Sequence, residues 1–213
     1  MIVSLFLSNS GFMKKSFFLI AAFLLSLQIQ AQDVMFFDAL KEAGKTVKTL
    51  EADITRNIVK PDKQAAQMGK FYYQSTNEFA ALFNNGEHII VNETHLKIKL
   101  GMLSGTFKLK DGGRMRSLGN IFLYGLQGEC QKLAQENELT ISTEQDETYD
   151  KVVLLSKKKH FLNIGYKKIV LKFEKKSHLV KEFVLFDSLG NIDTYTISNV
   201  RYNVGVDKNR FQF

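Results

Sequence analysis

An apolar residue at every second position constrains this chain more than any other feature. Leu96, Ile98 and Leu100 are separated by Lys97 and Lys99, with His95 ahead of them. In an extended strand such residues share one face and the charged ones share the other. The alternation recurs at Leu50, Ala52, Ile54 and Ile58, at Phe71 and Tyr73, and at Phe79, Ala81 and Phe83. It returns at Ile89 and Val91, at Phe107 and Leu109, and at Ile169, Leu171 and Phe173. Leu139 with Ile141, Val152 to Leu155, Phe183 to Phe186, Tyr195 with Ile197, and Val200 to Val206 are further expected strands. Pro61-Asp62, Asn84-Asn85-Gly86, Asp111-Gly112-Gly113 and Asp187 to Asn191 punctuate them with residues that suit turns. About ten strands joined by short turns, without a βαβ rhythm, predict an antiparallel meander in one domain.

Two stretches follow a helical period instead. Val34, Phe37, Leu40, Val47 and Leu50 predict an amphipathic helix from Val34 to Leu50, with Asp33 as its N-cap. Leu118, Ile121, Phe122, Leu126, Cys130 and Leu133 predict a second helical stretch, interrupted by Gly119, Gly125 and Gly128. Each glycine costs about 1 kcal/mol against alanine. One loosely held helix or two short ones are expected, and the glycines favour mobility.

The N-terminus reads as a targeting segment. Lys14-Lys15 precede an 11-residue apolar run from Phe17 to Leu27, and Ala31 offers a small residue for cleavage before Gln32. That run is too short to span a bilayer. Residues 1–31 are therefore expected to be a secretory signal, with Met13 as an alternative start, and residues 32–213 a single exported domain. Cleavage leaves 182 of 213 residues and removes two lysines, so the net charge falls from +7 to +5. Lys157-Lys158-Lys159 and Lys175-Lys176 are the basic runs, read as solvated turns and strand ends. No nucleic-acid motif accompanies them, and nucleic acid is not an expected partner.

Catalytic signatures are absent: there is no G-x-S-x-G, H-E-x-x-H, G-x-x-x-x-G-K-[ST] or G-x-G-x-x-G. His88, His95, His160 and His178 are too dispersed for a local metal pair, and Cys130 reads as a small buried hydrophobe. Glu144 to Asp150 reads as a solvated acidic loop. No enzyme activity, metal or cofactor is expected. What the mature chain holds in excess is aromatic surface, 13 Phe and 7 Tyr, much of it on one face of the strands. A sheet of about ten strands curls toward a barrel. Its concave face then either packs into a filled core or encloses an apolar cavity closed by the helices.

Three segments carry a family resemblance. TLEADITRNIV is followed by MGKFYYQSTNEFAALFNNGEHIIVN, and the chain closes with VLFDSLGNIDTYTISNVRYNVGVDKNRFQF. Together they resemble the LolA-type periplasmic carriers of outer-membrane lipoproteins. The resemblance implies a mostly β (α+β) fold: a single curved antiparallel sheet forming an open half-barrel, with helices covering the concave face. It implies a periplasmic, monomeric protein that sequesters lipoprotein acyl chains. An inner-membrane lipoprotein-releasing transporter would supply the cargo and an outer-membrane acceptor would receive it. The expected cavity and lid residues are Ile54, Arg56, Phe71, Tyr73, Phe79, Phe83, Ile89, Val91, Leu96, Ile98, Leu118, Phe122 and Leu126. The alternative on the same half-barrel is a module that senses lipids or lipoproteins. Two departures stand out. The Arg-Pro pair that often precedes the third strand is replaced by Gln74-Ser75-Thr76-Asn77, and the proline-containing tail is missing. Arg56, in register with the apolar residues of its strand, either faces inward, where it would bond lid carbonyls or a cargo head group, or is turned to solvent by a bulge.

Overall fold

The computed structural model describes residues 34–75, 77–109, 114–156 and 165–213. The expected signal sequence, Asp33, Asp111 to Gly113, the Lys157 to Lys159 run and His160 lie outside them. The chain divides into two units, residues 1–38 and 39–213. In the first, residues 34–38 are helical. The second opens with helical residues 39–46, labelled α1. The helical stretch thus stops before Val47, short of the expected Leu50, because Thr49 and Leu50 already pair in the sheet.

Eleven antiparallel strands follow among the described residues. The first six are β1 (Thr49–Lys60), β2 (Lys63–Gln74), β3 (Glu78–Phe83), β4 (His88–Asn92), β5 (His95–Leu100) and β6 (Leu103–Lys108). Helices α2 (Arg114–Leu126) and α3 (Cys130–Glu136) come next. The last five strands are β7 (Leu139–Gln145), β8 (Tyr149–Ser156), β9 (Tyr166–Glu174), β10 (Val180–Asp187) and β11 (Ile192–Tyr202). The order across the sheet is β6-β5-β4-β3-β2-β1-β11-β10-β9-β8-β7. Each half is a hairpin meander, and β1 against β11 joins them in the middle. The sheet does not close: β6 and β7 are its two edges, and α2 with α3 is the segment that connects them. This is the expected open half-barrel, one strand richer than the sequence count.

The alternation decides which way each strand faces. Leu50 pairs with Tyr73, Ala52 with Phe71, Ile54 with Gly69 and Arg56 with Gln67, so these residues share the concave face. The opposite face carries smaller apolar clusters. Phe211, on a short 3-10 turn (Lys208–Phe211), packs on Ala80 and Ile90, and Asn92 Nδ2 donates to its carbonyl at 3.0 Å. The expected strand over Val200 to Val206 is accordingly shorter. It ends at Tyr202, where Asn203 takes a positive φ of 56° and its side chain bonds Lys48 N and Thr46 O. The expected acidic loop is also shorter. Glu144 lies in β7, while Asp150 lies in β8 and is buried.

The interruption in the second helical stretch is real, and two of its glycines sit at close contacts. Gly128 has φ +68°, and a Cβ there would lie 2.1 Å from the Leu40 carbonyl oxygen. A Cβ on Gly125 would lie 2.5 Å from a ring carbon of buried Phe183. Both glycines permit close approach, and the expected mobility has no support at these positions. Gly128→Ala is expected to destabilise the fold by about 2 kcal/mol or more, since the left-handed backbone alone costs about 1–2. A fall in melting temperature of about 5 °C or more in a thermal unfolding scan checks this.

Candidate site on the concave face

Every strand-borne candidate faces the concave side. Phe71, Ala81 and Ile89 form one cross-strand row, and Tyr73, Phe79 and Val91 form the next. Val91 continues to Leu96, and Ile89 to Ile98. Against these rows lies α2, whose Leu118, Ile121, Phe122 and Leu126 are buried. It packs on β5 and β6 on one side and on β10 on the other.

Phe122 is the centre of this packing. Its ring is fully buried and stacks on Phe183 at 4.5 Å. Phe79 lies at 5.2 Å, Phe71 at 6.2 Å and Tyr195 edge-on at 5.1 Å. Such pairs add about 0.5–1.5 kcal/mol each beyond the area they bury. The middle of the concave face is therefore filled, and a side chain of the covering helix fills it.

Beyond Leu118 the face opens into a cavity of about 520 Å³. Ile58, Ala65, Ile98, Leu100, Leu103 and Leu118 contribute its apolar wall. Arg56, Gln67, Glu87, Asp193 and Tyr195 contribute a polar one. Lys60 and Lys63, the outermost pair of β1 and β2, stand exposed at the lip. The exposed apolar side chains Val59, Met102, Leu103 and Leu189 lie at this same end of the sheet, on strand ends and turns.

Arg56 does point inward and is 8% exposed. Its Nη1 donates to Glu87 Oε2 at 3.3 Å and to Gln67 Oε1 at 3.4 Å, and its Nη2 donates to Asp193 Oδ2 at 3.1 Å. Burial alone would lower its pKa, but Tyr195, Asp193 and Glu87 outweigh it and leave the pKa raised. Among the described residues none of these bonds reaches α2 or α3, so the expected bond to lid carbonyls is not among them. A side-chain bond from the helical segment instead reaches the stretch that lacks the Arg-Pro pair. Gln127 Nε2, between α2 and α3, donates to Asn77 Oδ1 at 2.8 Å. Buried Tyr73 also bonds Gln127, and its pKa is raised mainly by burial. Tyr73 thus belongs to a polar recess of about 370 Å³ with Asn77 and Gln127, outside the mouth cavity.

Of the sequence candidates, Arg56, Ile98 and Leu118 line the mouth cavity. Phe71, Phe79, Val91, Leu96 and Phe122 meet at the covering helix. Ile54, Phe83, Ile89 and Leu126 are buried in the same core. The sequence reading missed the far half of the sheet, which supplies Phe183, Tyr195, Tyr166 and Asp193. Tyr195 alternates with Ile197, a signal that could have placed it inward. Cys130 is fully buried, and burial pushes its thiol pKa far up, away from the thiolate that a nucleophile requires.

These observations define a class: an open antiparallel half-barrel whose aromatic concave face is covered by a helical segment tied to both sheet edges. The chain belongs to the family described as outer membrane lipoprotein carrier protein LolA, whose model matches residues 45–213. Among solved structures it resembles a LolA superfamily protein from Nitrosomonas europaea at 9% identity, covering 83% of this chain and 97% of that one, with a TM-score of 0.40. Lipoprotein LppX of Mycobacterium tuberculosis is 13% identical, with 82% and 100% covered and a TM-score of 0.38. The MucA/MucB complex of Pseudomonas aeruginosa offers an 8% match, with 84% and 59% covered and a TM-score of 0.48. These are likenesses of fold. No curated protein matches the sequence. Among the described residues no helix is long and apolar enough to cross a membrane.

Proposed function

We propose that this chain is an exported carrier that takes up the acyl chains of lipoproteins and moves them across the periplasm from the inner to the outer membrane. The observation that carries this reading is Phe122. A helix anchored to both sheet edges inserts one aromatic ring into the aromatic-lined hollow that a hydrocarbon chain would fill. The covering helix occupies the place of a ligand, and a ligand that displaces it inherits the same walls.

The energetics suit reversible exchange. Burying about 15 methylenes contributes about 12 kcal/mol at about 0.8 each, whereas re-exposing Leu118, Ile121, Phe122 and Leu126 costs about 6–12. Uptake is then favourable without being irreversible, as a carrier that must release its cargo requires. Two acyl chains otherwise hold a protein stably on a membrane, so passage through water needs such a shelter. The family membership supports the cargo class, and the basic, apolar, small-residue pattern of residues 1–31 supports export.

The test uses inner-membrane vesicles that carry a radiolabelled lipoprotein held by its releasing transporter. The purified mature chain is expected to bring the label into the supernatant as a one-to-one complex. Label that stays with the vesicles at saturating protein overturns the reading.

A further inference from the structure

Building on the carrier reading, we infer that the mouth cavity selects neutral fatty-acyl esters. Arg56 and Tyr195 donate to an ester carbonyl, while the neighbouring carboxylates turn away an anionic head group.

Two buried donors at this cavity lack an acceptor. Arg56 Nε and Tyr195 Oη have no hydrogen-bond partner among the described residues. Arg56 is 8% exposed and Tyr195 is fully buried, and both residues line the 520 Å³ cavity. They face each other across the β1–β11 pairing, with the guanidinium carbon 5.5 Å from the ring centre. Buried donors without acceptors are rare in native proteins and destabilising, so a pair of them at a cavity points to a ligand acceptor that arrives when the covering helix shifts.

The surrounding charge decides what kind of acceptor fits. Arg56 is already opposed by Glu87 and Asp193, so this cluster carries one more negative than positive charge. Asp193 sits one inward-facing row nearer the mouth than Arg56, in register with Ile58. Buried Asp187 lines the same wall and accepts from Leu189 N, Asn191 N and Asn191 Nδ2. A phosphate or carboxylate placed just outside the two donors would meet these carboxylates, whereas a neutral carbonyl would not. Lys60 and Lys63 lie at the exposed lip, where solvent and salt screen their attraction. The inner wall at Ile98 and Leu118 is apolar and receives the chains. The matching ligand is a set of hydrocarbon chains joined through uncharged esters. The diacylglyceryl group of a lipoprotein and a free diacylglycerol share that chemistry.

The experiment is displacement of a fluorescent fatty-acyl methyl ester from the purified mature chain. Four competitors are compared: dioctanoylglycerol, its dioctyl ether analogue, dioctanoyl phosphatidate, and a synthetic lipopeptide with a diacylglyceryl cysteine. Dioctanoylglycerol is expected to compete about tenfold better than the ether, which lacks carbonyls, and about tenfold better than the phosphatidate. Tyr195→Phe is expected to narrow the ester–ether gap, and Glu87→Gln with Asp193→Asn the neutral–anionic gap. A lipopeptide that outcompetes dioctanoylglycerol identifies a lipoprotein source, and the reverse order a free lipid; either keeps the selection. Equal competition by ester, ether and phosphatidate on the unaltered chain overturns the inference and leaves the carrier reading standing. Failure of the probe and of all four competitors to bind removes both.

Discussion

Phe122→Ala is expected to lower the stability of the fold by about 3–5 kcal/mol and yet to tighten its grip on an acyl chain. The first effect follows from position. The ring is fully buried among Phe71, Phe79, Phe183 and Tyr195, and truncating a phenylalanine in such a place removes its transfer energy and leaves a cavity. Urea unfolding reads that loss as a lower midpoint at an unchanged slope. The second effect follows from competition. If the ring holds the ligand's place, its removal lowers the cost of displacing α2, and a fatty-acyl probe binds more tightly. An ordinary core residue gives the opposite result, because a loosened core binds less well. Measured together, stability and probe affinity therefore move in opposite directions for a removable plug and in the same direction for permanent packing.

Arg56→Leu is expected to cost about 3 kcal/mol at neutral pH, the low end for breaking a buried ion pair by removing one partner. Glu87 and Asp193 are 14% and 23% exposed, so two poorly solvated carboxylates would then face one cavity without their cation. Urea unfolding at pH 7 measures that loss. Adding Glu87→Gln and Asp193→Asn should recover most of it, because replacing a whole buried ionic cluster is often neutral. A variant that these two changes do not rescue would show that packing rather than charge sets the cost.

Much of the sheet was legible because β1, β2 and β5 bury every second residue more deeply than its neighbours. In β5 the lysines between Leu96, Ile98 and the strand end leave no doubt about direction, and Asn85-Gly86 marks the turn before β4. Arg56 could be placed inward by register alone, since β1 keeps its period through that residue. Its partners could not, because Glu87 and Asp193 lie 31 and 137 residues away and meet it only through the folded sheet. The far half was hidden for a different reason. Phe183, Val184 and Leu185 are all buried, with Val184 joining Val153 and Val170 in a cluster on the outer face. A strand covered on both sides shows no alternation, so nothing marked Phe183 as concave. Gly125 and Gly128 read as soft spots because glycine in a helix is destabilising on its own. Their purpose emerges only beside Phe183 and Leu40, which the local sequence does not contain.

The middle suture of the sheet has a consequence for how the molecule comes into being. Every other strand zips onto a neighbour just before or after it in the chain, whereas β1 must wait for β11. Bonds there join residues such as Lys48 and Asn203, 155 positions apart. Closure across so long a span is expected to be the slow step of folding. Until the final strand is delivered, the leading hairpin carries a naked β1 margin, a sticky template for any passing peptide. A chain secreted head first would emerge with that margin uncovered, and its safety would depend on how promptly its own tail follows.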